Sequence, residues 1–258
     1  MRTLLPHRWR PSPNAESRRD GLKPHLLVLH YTGMKSAQAA ADWLCNPASK
    51  VSCHYLVDEA GEITQMVEEG SRAWHAGVSC WHGARDINSR SIGIEIHNPG
   101  HEFGYVEFPE AQVEGVVELC RDILFRNPIG PADVLAHSDV APGRKIDPGE
   151  KFPWQLLAEA GVGHWIDPVA PGDPVPEAGA VARLGAGLAA YGYCLDPATA
   201  DGGAFQRVVA AFQRHFRPGR VDGIPDASTF ATLERLLTAI PDPSPAVVDW
   251  FRGGLGRA

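Results

Sequence analysis

Residues 91–98 read SIGIEIHN, a stretch in which apolar side chains occupy every second position. Alternation with a period of two is typical of a β-strand, because successive side chains point to opposite faces. The three isoleucines share one face of this strand, whereas Gly93, Glu95 and His97 share the other. The stretch therefore predicts a strand with one apolar face and one face that carries a carboxylate and a histidine.

The segments around this strand extend it into a mixed α/β pattern. HLLVLHYTG (25–33) is a short apolar run that ends at a glycine, which predicts a buried strand. A hairpin is predicted from 54–58 and 62–67, and two amphipathic helices from 36–45 and 109–127. Strands and helices alternate in this way to about residue 161, which is the pattern of an α/β domain.

The pattern changes after a proline-rich stretch, DPVAPGDPVPEA, at residues 167–178. Such a stretch predicts a semi-extended linker, and we expect little obligatory interface between the units that it joins. Residues 179–190, 202–217 and 227–239 are predicted to be helical, and no strand candidate lies among them. The second unit is therefore expected to be a small all-α domain.

Composition excludes several classes of protein. The chain has 258 residues, of which 44% are hydrophobic and 21% charged, as is usual for a globular protein. Its formal net charge of −7 argues against nucleic acid as a partner. No apolar window is long enough to span a membrane, and the N-terminus lacks the apolar segment of a signal peptide. As written, the chain is expected in the cytoplasm, and a monomer is expected.

The cysteines do not form a recognisable pattern. There are five, Cys45, Cys53, Cys80, Cys120 and Cys194, without paired spacing or a C-x-x-C motif. An odd number without paired spacing predicts free thiols rather than a disulfide framework. Free thiols would fit a reducing compartment.

One loop concentrates ionisable residues between prolines and glycines: AHSDVAPGRKIDPG, at 136–149. A solvated polar loop is one explanation, and a metal site is the other. A catalytic zinc takes three protein nitrogen or oxygen ligands and leaves one position open for water. His137 and Asp147 in this loop, together with His30 at the end of the first apolar strand, are of the required types.

Four motifs in a fixed order carry a family resemblance. VLHYTGM (28–34), SRAWHAG (71–77), SIGIEIHNPG (91–100) and the loop at 136–149 resemble the bacterial zinc-dependent N-acetylmuramoyl-L-alanine amidases. The fold of these amidases is shared with peptidoglycan recognition proteins. The resemblance covers about residues 12–160. It implies a central mixed β-sheet flanked by helices, with zinc at one end of a groove.

The resemblance also implies an activity and its residues. The reaction would be hydrolysis of the amide bond between N-acetylmuramic acid and L-alanine, in peptidoglycan or in anhydro-muropeptides, for wall turnover or recycling. Zn²⁺ would be held by His30, His137 and Asp147. Glu95 would take a proton from the attacking water, and Lys145 would stabilise the oxyanion.

Further residues are assigned weaker roles. Candidate contacts to the muropeptide substrate are Trp74, His75, Asn98 and Arg144. A packed tryptophan and a structural histidine are the alternatives for the first two. His54 begins a strand and is expected to hydrogen-bond within the sheet. Asp139 is expected to stabilise the loop near His137.

The helical tail has a resemblance of its own. Residues 211–236 are similar to the three-helix peptidoglycan-binding module of wall hydrolases, through the Phe212–Gln213 pair, a D-G turn and a T-x-x-x-L helix. A plain helical accessory domain is the alternative. The expected boundaries are 12–166 for the amidase domain, 167–178 for the linker, 179–240 for the helical domain and 241–258 for a tail.

Two other functions share some of these features. A non-catalytic recognition protein of the same fold would bind wall fragments without hydrolysis, but such proteins commonly lose a zinc ligand. A zinc peptidase would cleave the stem peptide, but its usual H-E-x-x-H helix is absent from the sequence. A wall-binding tail also makes the periplasm or cell envelope the alternative to the cytoplasm.

Overall fold

The alternating stretch forms the strand Ser91–Ile96, which lies inside a six-stranded mixed sheet. The computed structural model describes residues 1–170, 178–195, 202–241 and 243–255. The strands in chain order are β1 (Arg8–Trp9), β2 (Ala15–Ser17), β3 (Leu26–Tyr31), β4 (Tyr55–Val57), β5 (Ile63–Gln65), β6 (Ser71–Ala73), β7 (Ser91–Ile96) and β8 (Val134–Ala136). The helices are α1 (Ala37–Leu44), α2 (Ile87–Arg90), α3 (Gly100–Phe103), α4 (Glu110–Arg126), α5 (His137–Val140), α6 (Trp154–Glu159), α7 (Ala178–Tyr191), α8 (Gly202–Phe216), α9 (Ala227–Thr238) and α10 (Pro245–Leu255).

The sheet order is β1-β5-β4-β7-β3-β8, and β2 pairs with β6 in a separate two-stranded sheet. The predicted hairpin is present as the antiparallel pair β4 and β5. Strand β7 pairs in parallel with β4 and β3, and β3 pairs in parallel with β8. His30 on β3 is in register with Glu95 on β7, and Leu29 is in register with Ala136. The carboxyl ends of β3, β7 and β8 therefore meet at one edge of the sheet, and His137 follows β8 there.

Burial follows the predicted pattern. The isoleucine face of β7 is fully buried. Helix α1 begins after Ser36, whose hydroxyl accepts a hydrogen bond from the Ala39 N–H, as an N-cap does. Helix α4 begins after Pro109 and buries a stripe that includes Val116 and Ile123. The expected α/β fold, a mixed sheet flanked by helices, is confirmed.

The C-terminal part is helical as predicted, with one addition. The three predicted helices are α7, α8 and α9, and the expected tail contains a further helix, α10. Gln213 on α8 links two of the motifs that carry the resemblance, the Phe212–Gln213 pair and the D-G turn. Its carboxamide donates to the Ile224 carbonyl and accepts from the N–H groups of Asp222 and Gly223. Most of the predicted linker, at 171–177, lies outside the described residues.

The internal contacts divide the chain into two units. The first comprises Met1–Ser79, Asp86–His137 and Asp147–His164, and the second comprises Cys80–Arg85, Ser138–Ile146 and Trp165–Ala258. This division differs from the expected boundary, because two short segments from within 12–166 belong with the C-terminal helices. The expected boundary was based on the proline-rich stretch at 167–178 alone. Such a stretch carries no information about which distant segments of the chain belong to the same unit.

The prediction of five free thiols is wrong for two of them. Cys80 and Cys194 form a disulfide, with their Cα atoms 5.9 Å apart. They are separated by 114 residues in sequence, so spacing could not reveal the pair that the fold brings within bonding range. Cys45, Cys53 and Cys120 are free.

Among the described residues, no helix combines the length and apolar character needed to cross a membrane.

Candidate metal centre and active site

Two histidines and an aspartate converge at the carboxyl edge of the sheet. His30 is the penultimate residue of β3, His137 follows β8, and Asp147 closes the loop after α5. The Nδ1 atoms of the two histidines are 2.8 Å apart, and Asp147 Oδ2 lies 3.2 Å from His30 Nδ1 and 2.9 Å from His137 Nδ1. The three side chains are buried and could together hold a metal ion.

The Nε2 contacts of the two histidines determine whether the Nδ1 atoms that face the cluster carry protons. His137 Nε2 lies 3.1 Å from the Ala76 carbonyl oxygen, which can only accept, so Nε2 carries the proton. In a neutral His137, Nδ1 is then an unprotonated lone pair. The same holds for His30, whose Nε2 contacts His75 Nδ1 at 2.9 Å.

This donor set fits a metal ion. Two lone pairs that face each other at 2.8 Å, beside a carboxylate, repel one another unless a cation lies among them. Two neutral imidazoles and one carboxylate are also a usual protein ligand set of a catalytic zinc.

The carboxylate is in its charged form. Burial alone would raise the pKa of Asp147, but when His137 and His30 are protonated their charges and Nδ1 hydrogen bonds outweigh it and hold that pKa well below its usual range. A metal cation bound in place of those protons would act in the same direction. A ligating carboxylate must be deprotonated, and this surrounding keeps it so.

The sequence predicts a substrate contact for His75, and in the structure its Nδ1 lies 2.9 Å from His30 Nε2. His75 is buried, and its Nε2 lies 3.1 Å from Ser91 Oγ. The Ser91 hydroxyl donates to the Ile87 carbonyl at 2.7 Å, so it accepts from His75 Nε2. His75 Nδ1 is then an acceptor for His30 Nε2–H. The chain of hydrogen bonds fixes the tautomer of His30 with an unprotonated Nδ1 that faces His137 and Asp147.

Gly93 explains how His75 reaches this position. A Cβ at Gly93 would lie 2.5 Å from Cγ of the His75 imidazole, far inside contact distance. The glycine of the I-G-I-E strand therefore makes room for the ring. Burial, followed by the neighbouring His30, keeps the pKa of His75 well below its usual value, so the ring stays neutral. His54 lies alongside, and accepts from the Gly93 N–H at 3.0 Å.

We predict that His75→Ala weakens zinc binding by about 10- to 100-fold, because an outer-shell partner of a ligand is lost. His75→Asn should recover most of the loss, since its Oδ1 can stand in for Nδ1 as the acceptor. Competition with a chromogenic chelator measures both affinities. Equal affinities for the two variants would contradict the hydrogen-bond explanation.

Glu95 and Lys145 are both half-buried. Glu95 is in register with His30 on a parallel strand, so the two side chains share one face of the sheet. Lys145 precedes Asp147 by two residues, and its N–H donates to the Ala141 carbonyl at 3.1 Å in a turn of the loop.

The remaining sequence candidates differ in exposure. Trp74 is half-buried and Arg144 is exposed, so both can meet a ligand. Asn98 is buried, and its side chain donates to the Val106 carbonyl and accepts from the Gly100 N–H. Asn98 therefore stabilises its own loop. Sequence reasoning missed Ser91, because a serine at the start of a strand carries no signal of its partner.

Comparison with known proteins identifies the class of enzyme. Residues 20–150 match the family of N-acetylmuramoyl-L-alanine amidases, and residues 177–233 match a family of peptidoglycan binding domains. N-acetylmuramoyl-L-alanine amidase AmiD of Escherichia coli (strain K12) is 39% identical over 233 residues, which are 82% of each chain. The 1,6-anhydro-N-acetylmuramyl-L-alanine amidase AmpD of Salmonella typhimurium (strain SL1344) is 32% identical over 58% of this chain and 88% of its own.

Solved structures agree with the sequence matches. A complex of AmiD from Escherichia coli with the substrate anhydro-N-acetylmuramic acid-L-Ala-D-gamma-Glu-L-Lys has a TM-score of 0.75 at 38% identity, and covers 89% of this chain and 92% of that one. AmpDH3 from Pseudomonas aeruginosa has a TM-score of 0.74 at 34% identity, and covers 94% and 100%. The chain belongs to the N-acetylmuramoyl-L-alanine amidase family and is an enzyme of that class.

Proposed function

We propose that this amidase is zinc-dependent and hydrolyses the bond between N-acetylmuramic acid and L-alanine, in peptidoglycan or in anhydro-muropeptides, for wall turnover or recycling. The observation that carries the proposal is the convergence of His30 Nδ1, His137 Nδ1 and Asp147 Oδ2 in a buried cluster. The lone pairs of that cluster need a cation, and three ligands leave a fourth position for water or substrate.

The residues around the cluster have separate roles in the proposed reaction. Zinc at this site would polarise the scissile carbonyl and acidify a water. Glu95, on the same sheet face as His30, accepts the proton of the attacking water and returns it to the leaving amine of L-alanine. Lys145 stabilises the negative charge that develops on the carbonyl oxygen. His75 and Ala76 hold the two imidazoles in the tautomers that this arrangement requires.

The substrate class is supported by what the relatives bind. AmiD has been solved with an anhydro-N-acetylmuramic acid tripeptide, and AmpDH3 with an anhydromuramic pentapeptide. Trp74 offers an aromatic face for a sugar, and Arg144 offers a cation for a stem-peptide carboxylate. The helical unit is proposed to bind peptidoglycan, as the family match of residues 177–233 suggests.

The disulfide bears on the compartment. Disulfides persist in oxidising environments such as the periplasm, and are rare where thiols are kept reduced. The Cys80–Cys194 bond therefore favours the cell envelope over the cytoplasm, the reverse of the expectation from free thiols.

The test is to incubate the full chain with purified sacculi and with an anhydro-muropeptide, each with and without a chelator, and to weigh the products. We expect release of intact stem peptides that begin with L-alanine, and loss of that release with chelator until zinc is restored. Cleavage inside the stem peptide would indicate a peptidase instead. Binding without any product would indicate a recognition protein.

A further inference from the structure

The loop between two of the proposed ligands belongs with the C-terminal helices. Segment Ser138–Ile146 is part of the second unit, and His137 and Asp147 are the residues that flank it in sequence. Any shift of this segment is transmitted through the backbone to both ligands. What holds the segment therefore bears on the metal centre.

Asp139 is the main polar anchor of the segment. Its carboxylate is buried and accepts two hydrogen bonds of 2.7 Å, one from the Tyr193 hydroxyl and one from His215 Nδ1. All three side chains are no more than 2% exposed. A carboxylate at that depth is stable only when strong hydrogen bonds compensate for lost water, so the three groups define one geometry.

The two donors are themselves fixed. The His215 ring stacks on Phe216 with centroids 3.9 Å apart, and the Tyr193 ring packs edge-on against Trp81 at 5.1 Å. Burial, together with Asp139, raises the pKa of Tyr193 well above its usual value, so its hydroxyl keeps the proton that it donates.

A second set of contacts ties the segment through Cys80–Arg85. The Cys80 N–H donates to the Val140 carbonyl at 2.8 Å, and the same cysteine is bonded to Cys194. The His82 N–H donates to the Gly192 carbonyl at 2.8 Å. On the other side, Gly143 approaches the Arg207 side chain of α8 so closely that a Cβ has no space there.

We propose that the C-terminal helical unit is a scaffold for the metal-ligand loop, in which Asp139, held by Tyr193 and His215, and the Cys80–Cys194 disulfide position the segment and so set the affinity of the metal centre. Asp139 is a positioning residue, because it acts through His137 and Asp147. This role is additional to peptidoglycan binding, and it rests on the proposed metal-dependent function.

The test measures zinc affinity of the full chain by competition with a chromogenic chelator. Asp139→Asn keeps the volume but replaces one of the two accepting oxygens with an NH2 group, which then faces a donor. We expect its zinc affinity to fall by about 10- to 100-fold. The Cys80→Ser/Cys194→Ser double variant should lose affinity in the same direction, and it avoids thiol reductants, which bind zinc themselves.

Gln213→Leu is the matched control. Gln213 is buried in the same helix as His215, but its side chain hydrogen-bonds to the turn at 222–224 and to Thr229. It should lower the melting temperature without weakening zinc binding. Equal weakening in the control would overturn the proposal, because general loss of stability would then explain the effect.

The remaining outcomes are also decisive. Should Asp139→Asn fail to fold, Tyr193→Phe removes a single donor and answers the same question. Unchanged zinc affinity in the folded variants overturns the scaffold while leaving the metal-dependent function intact. If the unsubstituted protein itself binds no zinc, the proposed function fails instead.

Discussion

His30→Ala should leave a folded protein that no longer holds stoichiometric zinc and has lost most of its turnover. One of the three proposed ligands is removed, and the remaining pair, His137 and Asp147, cannot close a catalytic zinc site. Loss of the activated water is worth several kcal/mol of barrier, or roughly a thousandfold or more in rate. Elemental analysis of the purified variant measures the zinc, and product release from an anhydro-muropeptide measures the rate.

The control for this variant lies on the same stretch of chain. His25 precedes β3, at the opposite end of the strand from His30, and is half-buried. His25→Ala should keep both zinc and turnover. Melting curves of the two variants separate loss of metal from loss of fold. Full zinc occupancy in His30→Ala would exclude this residue as a ligand.

Much of the fold follows from the sequence because its signals are local. The alternation in SIGIEIHN predicts β7. Ser36 predicts the start of α1, because its side chain accepts a hydrogen bond from the N–H group three residues later. The parallel register of β3, β7 and β8 is not local, and the family resemblance implied only a mixed sheet. That register is what gathers His30 and His137 from positions 107 residues apart.

The features that the sequence did not reveal all depend on contacts between distant residues. Cys80 and Cys194 carry no spacing signal, and neither does the pairing of Asp139 with His215 across 76 residues. The family resemblance, through SRAWHAG (71–77), led to the prediction that His75 contacts the substrate. The position of its ring depends on Gly93, because a Cβ at that residue would occupy the space that the His75 ring fills.

Glu95 tests whether chemistry and metal binding are separable. It lies beside His30 in the sheet register, but it is not one of the three residues whose donor atoms converge. Its proposed work is to accept and return a proton, which a carboxamide of the same shape cannot do. The proposed metal ligands, by contrast, do not include this side chain.

Glu95→Gln is therefore expected to bind zinc as tightly as the unsubstituted protein while turnover falls by roughly a hundredfold to ten-thousandfold, since the proposed general base is lost and the proposed ligands are not. Zinc is measured by chelator competition and turnover with an anhydro-muropeptide at saturating zinc. Glu118→Gln, an exposed substitution on α4, is the matched control and should change neither quantity. Near-normal turnover in Glu95→Gln would move the base to another residue, whereas loss of zinc would make Glu95 part of the metal centre.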